Sequence, residues 1–302
     1  MIGILLLGPP TDGAPSYGRS ERAALTACAP QLALLVENGR LTARIVAQEK
    51  VRRDLALAAE VQRRLLPDVP PDREGAAVAA VSLPARSIGG DYFDFIDVGD
   101  RRLGIALADI AGKGIPAALI MSSVRMALRV LASEPGASLP ELVARMNHVL
   151  HEATPSNSYA TFFYARVDDD ARELRYINAG HLPPILVRSG ELQELTTGGS
   201  VIGLFDGLSY EEGGVALQPG DVLVAFTDGV PEAQNAAEEE FGDVRLKELL
   251  TKIAHLDAQE IAARLLAELK AWIQDASQYD DLTFIVLKVR DVPPTSSPAP
   301  AA

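Results

Sequence analysis

Four stretches of the chain bring carboxylates to the ends of apolar runs. Asp91 follows a Gly-Gly pair and opens the aromatic-alternating run of Tyr92, Phe93 and Phe95. Asp109 closes the apolar run 103–108, Asp228 follows the run 222–226 at Thr227-Asp228-Gly229, and Asp280-Asp281 leads directly into the run 282–287. A lone Asp at a strand end is ordinarily a turn former or a helix cap. Unpaired and buried, it is costly or takes up a proton. A divalent cation relieves several such acids at once, and hard ions such as Mg2+ and Mn2+ favour carboxylate, carbonyl and water oxygens. Asp94 and Asp97 read instead as solvent-facing or auxiliary.

Other chemistries fit the residues less well. Gly112-Lys113-Gly114 is not a phosphate-binding P-loop, because Lys113 is followed by Gly114 rather than Ser or Thr and no Gly stands at position 107. Lys113 is then a loop residue near a phosphate or simply exposed. Ser122 and Ser123 fall inside a helix with no supporting His-Asp set, which argues against a serine nucleophile. His148 and His151 lie three apart on a helix, but no thiolate or third histidine is spaced to join them as metal ligands. His181, in Asn178-Ala-Gly-His-Leu-Pro, follows a strand at a Gly turn and serves either that turn or catalysis. His255 is uninformative.

With these sites in view, the chain resembles the SpoIIE/RsbU branch of the PPM family, the metal-dependent protein serine/threonine phosphatases. The matching stretches are GGDYFDF (89–95), ADIAGKGIPAAL (108–119), YATFFYARVD (159–168), YINAGHLPPIL (176–186), FTDGVPEA (226–233) and DDLTFIVLKV (280–289), in order along the chain. The resemblance implies a pair of Mn2+ or Mg2+ ions that share a water, lower its pKa and neutralise the phosphoryl oxygens during in-line attack. Carried over by motif, Asp109 is the bridging ligand, assisted by the backbone carbonyl of Ile110. Asp91 and Asp228 are further ligands, and these three are the expected catalytic acids. Asp280 matches the ligand that opens the last strand. Asp281 is a supporting or alternative ligand, since adjacent residues on an extended segment point to opposite sides. Better-known eukaryotic members carry a histidine two residues after the bridging Asp, thought to protonate the leaving group. Here that position is Ala111, so water or another group must protonate the leaving serine oxygen.

These acids must be positioned by a fold, and the chain is long enough to build one: it has 302 residues, 48% of them hydrophobic. A net charge of −13 argues against nonspecific nucleic-acid or anionic-membrane binding. The single Cys28 excludes an intramolecular disulfide, which suits a reducing cytosol, and no apolar run has a transmembrane length. The expected location is cytoplasmic, in a chain that is complete or the end of something longer.

Residues 1–10 read as a strand, and Ser20 as the cap of a helix through Leu25 and 31–47. Together these resemble the last strand and closing helix of a GAF sensory domain, so 1–40 is a partial GAF-like segment or an addition to the catalytic domain. The stretch 41–67 is a helical linker whose stripe of Val51, Leu55, Ala58, Val61 and Leu65 suits either a homodimeric coiled coil through 41–66 or packing on its own domain. Pro67, Pro70 and Pro71 end it.

The phosphatase domain spans 72–291. Its expected helices are 116–132, 140–152 (with Ser138 and Glu141 in capping-box spacing), 243–254 and 258–275. Its expected strands, beyond strand and turn between 76 and 98, are 103–108, 159–168, 173–179, 184–188, 191–195, 214–217, 222–226 and 282–289. Strands and helices are grouped rather than alternating, which favours α+β. The resemblance sharpens this to a central β-sandwich with helices on both outer faces. Residues 292–302 read as a disordered tail.

The substrate that the resemblance implies is a phosphorylated STAS-domain anti-sigma-factor antagonist in a partner-switching pathway. The alternative is a catalytically weak signalling module of the same fold, against which the intact Asp91, Asp109, Asp228 and Asp280 argue.

Overall fold

A computed structural model describes Gly8, Thr11, Ser16 and residues 18–291 apart from 68, 100, 135, 156, 170 and 171. The strand expected over 1–10 lies almost wholly outside the described residues, and the tail 292–302 wholly so. The chain divides into two units, 1–57 and 58–302.

Most of the first unit is α1 (Arg19–Arg63), one helix that continues through Pro30 without a break near residue 40. Ser20 lies in its first turn rather than at its cap, because the Gly18 amide donates to the Glu21 carboxylate at 2.6 Å. Leu34, Leu35, Ile45 and Val46 are exposed along it.

The second unit contains β1 (Ala76–Leu83), β2 (Tyr92–Asp97), β3 (Arg102–Ile110), α2 (Ile115–Ala132), α3 (Leu139–Ala153), β4 (Ala160–Asp168), β5 (Glu173–Ala179), β6 (Ile185–Arg188), β7 (Glu191–Glu194), β8 (Gly198–Gly199), β9 (Gly213–Ala216), β10 (Val222–Phe226), α4 (Asp243–Ile253), α5 (Ala258–Ile273) and β11 (Leu282–Val289). The strands form two sheets, ordered β1-β11-β10-β6-β7 and β2-β3-β4-β5-β8, with β9 paired to β5. β11 pairs antiparallel with both β1 and β10.

Period-two alternation builds three layers of core from two sheets. In β3, Leu103, Ile105 and Leu107 join Phe163, Leu223 and Ile285 between the sheets. The alternate residues Ala106, Ala108 and Ile110 pack beneath α2 and α3 with Met121, Val124 and Leu142. On the opposite outer face Val224, Phe284 and Val286 pack with Leu246, Leu250, Ile261 and Leu265 of α4 and α5. Each fully buried Leu, Ile or Phe contributes about 1.5–3 kcal/mol, so helices on both outer faces are what these doubly apolar strands require. The architecture is the expected α+β sandwich.

The helix starts follow local chemistry. Ser138 with Glu141, and Asp257 with Glu260, form complete capping boxes. α2 starts at Gly114 with Pro116 in its first turn and no side-chain cap. It is 18 residues long and apolar enough to cross a membrane by length and composition alone. Here Ala117, Met121, Val124 and Leu128 bury one face in the core.

Two polar residues behave differently from their sequence reading. Asp94, read as solvent-facing or auxiliary, is fully buried. It accepts two bonds from Arg129 at 2.7 Å each and one from the Tyr92 hydroxyl at 2.8 Å, joining β2 to α2. Near the end of α1 the apolar stripe shifts by one position. Val61 is exposed, and buried Gln62 donates to the Gly89 carbonyl at 2.7 Å and accepts from the Gly89 amide at 3.1 Å.

Candidate metal centre

Register decides where the acids meet. Tyr92 stands opposite Ala108, so Asp91 just before β2 and Asp109 near the end of β3 share one end of their sheet. Phe226 stands opposite Phe284, which places Asp228 after β10 and Asp280-Asp281 before β11 at one end of the other sheet. The two ends are joined where the Thr227 hydroxyl donates to Asp91 Oδ2 at 2.8 Å. Gly229 makes the second close approach: a Cβ there would collide with the Asp281 carbonyl oxygen.

The acids share one field. Burial raises Asp109 to about 7, and the charges of Asp228, Asp280 and Asp281 push in the same direction. Burial also holds Asp91 well above the ordinary carboxylate range, with Asp109 and Asp281 adding to it. Asp228 is raised by burial and then by Asp280. Ile110 brings its carbonyl to the same place, since a Cβ on Gly90 would lie 3.3 Å from it.

Several of the acids have a protein partner, as Asp91 has in Thr227. Asp281 accepts from the amides of Gly90 and Ala85 at 2.5 and 2.8 Å. Asp280 is paired with Lys113 at 2.7 Å, so that lysine is neither free nor simply solvated. Among the described residues no three His, Cys, Asp or Glu side chains stand ready-made around one ion. The donor chemistry nevertheless fits a hard divalent cation: buried, mutually repelling carboxylate oxygens and a backbone carbonyl, with no thiolate among them.

Other side chains add to the picture. Glu232, four residues past Asp228, was not singled out in the sequence; partial burial and then Asp228 raise its carboxyl. Thr227 was likewise missed, although its place between Phe226 and Asp228 marks it. His181 is buried, and burial lowers it to about 4, so it is neutral at physiological pH. Its Nδ1 is 2.7 Å from Thr161 Oγ1, which in turn accepts from the Asp109 amide at 3.4 Å. His148 faces Asp206, and His151 faces the Gly203 carbonyl, so the two do not converge. The hydroxyls of Ser122 and Ser123 donate to carbonyls of their own helix. A cavity of about 640 Å³ lined by Pro70, Leu256, Lys288 and Arg290 shares no residue with the acids.

A sandwich of two sheets flanked by helix pairs, with acids gathered at one end, defines the PP2C class of phosphatase domain. The solved SiaA-PP2C domain of Pseudomonas aeruginosa superposes with a TM-score of 0.70 at 23% identity, over 80% of this chain and 98% of that one. The family profile of Stage II sporulation protein E (SpoIIE) matches residues 99–290. The chain belongs to this family and is a protein phosphatase of the metal-dependent PP2C type. It is 32% identical over 244 residues to phosphoserine phosphatase RsbU of Bacillus subtilis (strain 168), covering 80% of this chain and 71% of RsbU. Protein IcfG of Synechocystis sp. is 30% identical over 264 residues, which span 78% of this chain and 41% of IcfG.

Proposed function

We propose that the chain hydrolyses phosphoserine and phosphothreonine in a protein substrate with Mn2+ or Mg2+ at this centre, two ions being the number that the family resemblance implies. The observation that carries the reading is the convergence of Asp91, Asp109, Asp228 and Asp280 from four distant segments. Asp109, the Ile110 carbonyl, Asp91, Asp228 and Asp280 would hold the metal, with Asp281 in support. The bound ions would supply charge for the phosphoryl oxygens and make solvent a nucleophile near neutral pH.

The chain's own residues do the positioning. Thr227 fixes Asp91, Thr161 and His181 brace the segment that carries Asp109, and the Gly90 and Ala85 amides fix Asp281. No side chain is called on as a covalent nucleophile.

The substrate fitting this reading is a phosphorylated STAS-domain anti-sigma-factor antagonist in a partner-switching pathway. The name of the relative RsbU supports the phosphoserine part. Residues 72–291 form the catalytic domain in this reading and 41–67 a linker, with 1–40 a GAF-like remnant. Two copies pair through 41–66, where Val51 and Leu57 are exposed apolar residues. The location is cytoplasmic.

The test is hydrolysis of an aryl phosphate and of a phosphoserine protein, with and without Mn2+, by wild type and Asp228→Asn. Metal-dependent turnover that the variant lacks supports the reading. Turnover without metal, or full activity in the variant, removes it.

A further inference from the structure

The loop between β3 and α2 places a cation at the edge of the acid cluster. Lys113 Nζ donates to Asp280 Oδ2 at 2.7 Å and to the Tyr279 carbonyl at 3.2 Å, and stands 4.8 Å from the Tyr279 ring centroid. Three contacts from one ammonium to two adjacent residues make a seat, not a chance surface approach. Among the described residues, Asp280 is the one acid of the centre held by a cationic side chain. Asp91 is held by a hydroxyl and Asp281 by backbone amides.

The loop that carries the cation has a specified backbone. Lys113 lies between Gly112, at φ +108°, and Gly114, at φ +79°, and a Cβ on either would meet nothing within 4 Å. Glycine is therefore required there for backbone conformation and not for space. Gly114 starts α2 without a side-chain cap and is joined to the helix through its carbonyl, which accepts from the Ala118 amide at 3.1 Å. A divalent ion bound by Asp280 would meet the ammonium as a like charge at short range.

We propose that Lys113 is a built-in counter-ion of the metal-free centre, and that a divalent cation takes Asp280 only by displacing its ammonium. The inference rests on the metal reading above and adds to it a residue that sets metal affinity. Lys113 holds the acid cluster together when metal is scarce and raises the metal concentration needed to load it.

Mn2+ titration by calorimetry tests this with wild type, Lys113→Met, Lys113→Arg and Asp280→Asn, all started in chelator and dialysed. Lys113→Met is expected to bind Mn2+ about three- to fivefold more tightly, the scale of a partly exposed ion pair. Lys113→Arg, which keeps the charge, is expected to stay close to wild type. Acylation of Lys113 by an amine reagent, followed by mass spectrometry, is expected to speed up when Mn2+ is added to wild type. Equal or weaker Mn2+ binding by a folded Lys113→Met overturns the proposal while leaving the metal reading intact. No Mn2+ binding by wild type, or undiminished binding by Asp280→Asn, overturns the role given to Asp280 and the proposal with it.

Discussion

Thr227 Oγ1 lies 2.8 Å from Asp91 Oδ2, so a hydroxyl at the end of β10 donates to a carboxylate at the start of β2 in the opposing sheet. Thr227 is fully buried and also accepts from the Thr283 amide at 3.2 Å. Thr227→Val keeps the shape and removes both bonds. The expected loss of stability in chelator is about 1–3 kcal/mol by urea denaturation, with weaker Mn2+ binding. Unchanged values in both measurements would mean that the sheets set Asp91 without this bond.

Asp94 and Arg129 form the ion pair that fastens α2 to β2. Arg129→Met strands a carboxylate of zero exposure, while the arginine itself is partly solvated. Denaturation should show a loss of about 2–4 kcal/mol. Asp94→Asn should lose less, and both variants should retain Mn2+ binding. Loss of metal binding with stability preserved would place Asp94 among the ligands instead.

His181 gives the pH dependence. Burial lowers its pKa to about 4, whereas in the unfolded chain it lies near 6.5. The unfolded state therefore binds the proton first, and stability falls as pH drops from about 6.5 towards 4, by up to about 3 kcal/mol from this residue. The difference between wild type and His181→Gln should appear as a shallower slope in that window. Parallel curves would show that His181 does not titrate as its burial requires.

Asp109→Asn separates function from stability. Asp109 is half-buried and repelled by Asp228, Asp280 and Asp281, so neutralising it removes repulsion. Phosphatase activity should fall at least about 100-fold, while metal-free stability should hold or rise by about 1 kcal/mol. A variant that unfolds more easily in chelator would show that the carboxylate serves the fold.

Much of this architecture was legible because it is local. Strand 173–179, strand 222–226, strand 282–289 and the Ser138 capping box are each specified by residues within a few positions of one another. The sandwich itself came from the ordered family motifs, since periodicity alone says α+β and no more. What stayed hidden depends on distant partners. Asp94 looked auxiliary because the arginine that claims it sits 35 residues away on α2. Gln62 was not singled out because its partner Gly89 lies 27 residues on. β8 is two glycines without any pattern, paired with β5 only through the register of its backbone. Lys113 was left between two roles because only the folded chain brings β11 to its loop.

β11 lies between β1 and β10, and the two residues just before it complete the acid group. β1 and β11 meet across roughly two hundred positions, so everything between them must be synthesised before this sheet can zip shut. A product lacking that strand would carry three of the four segments that bring acids to this end of the sandwich.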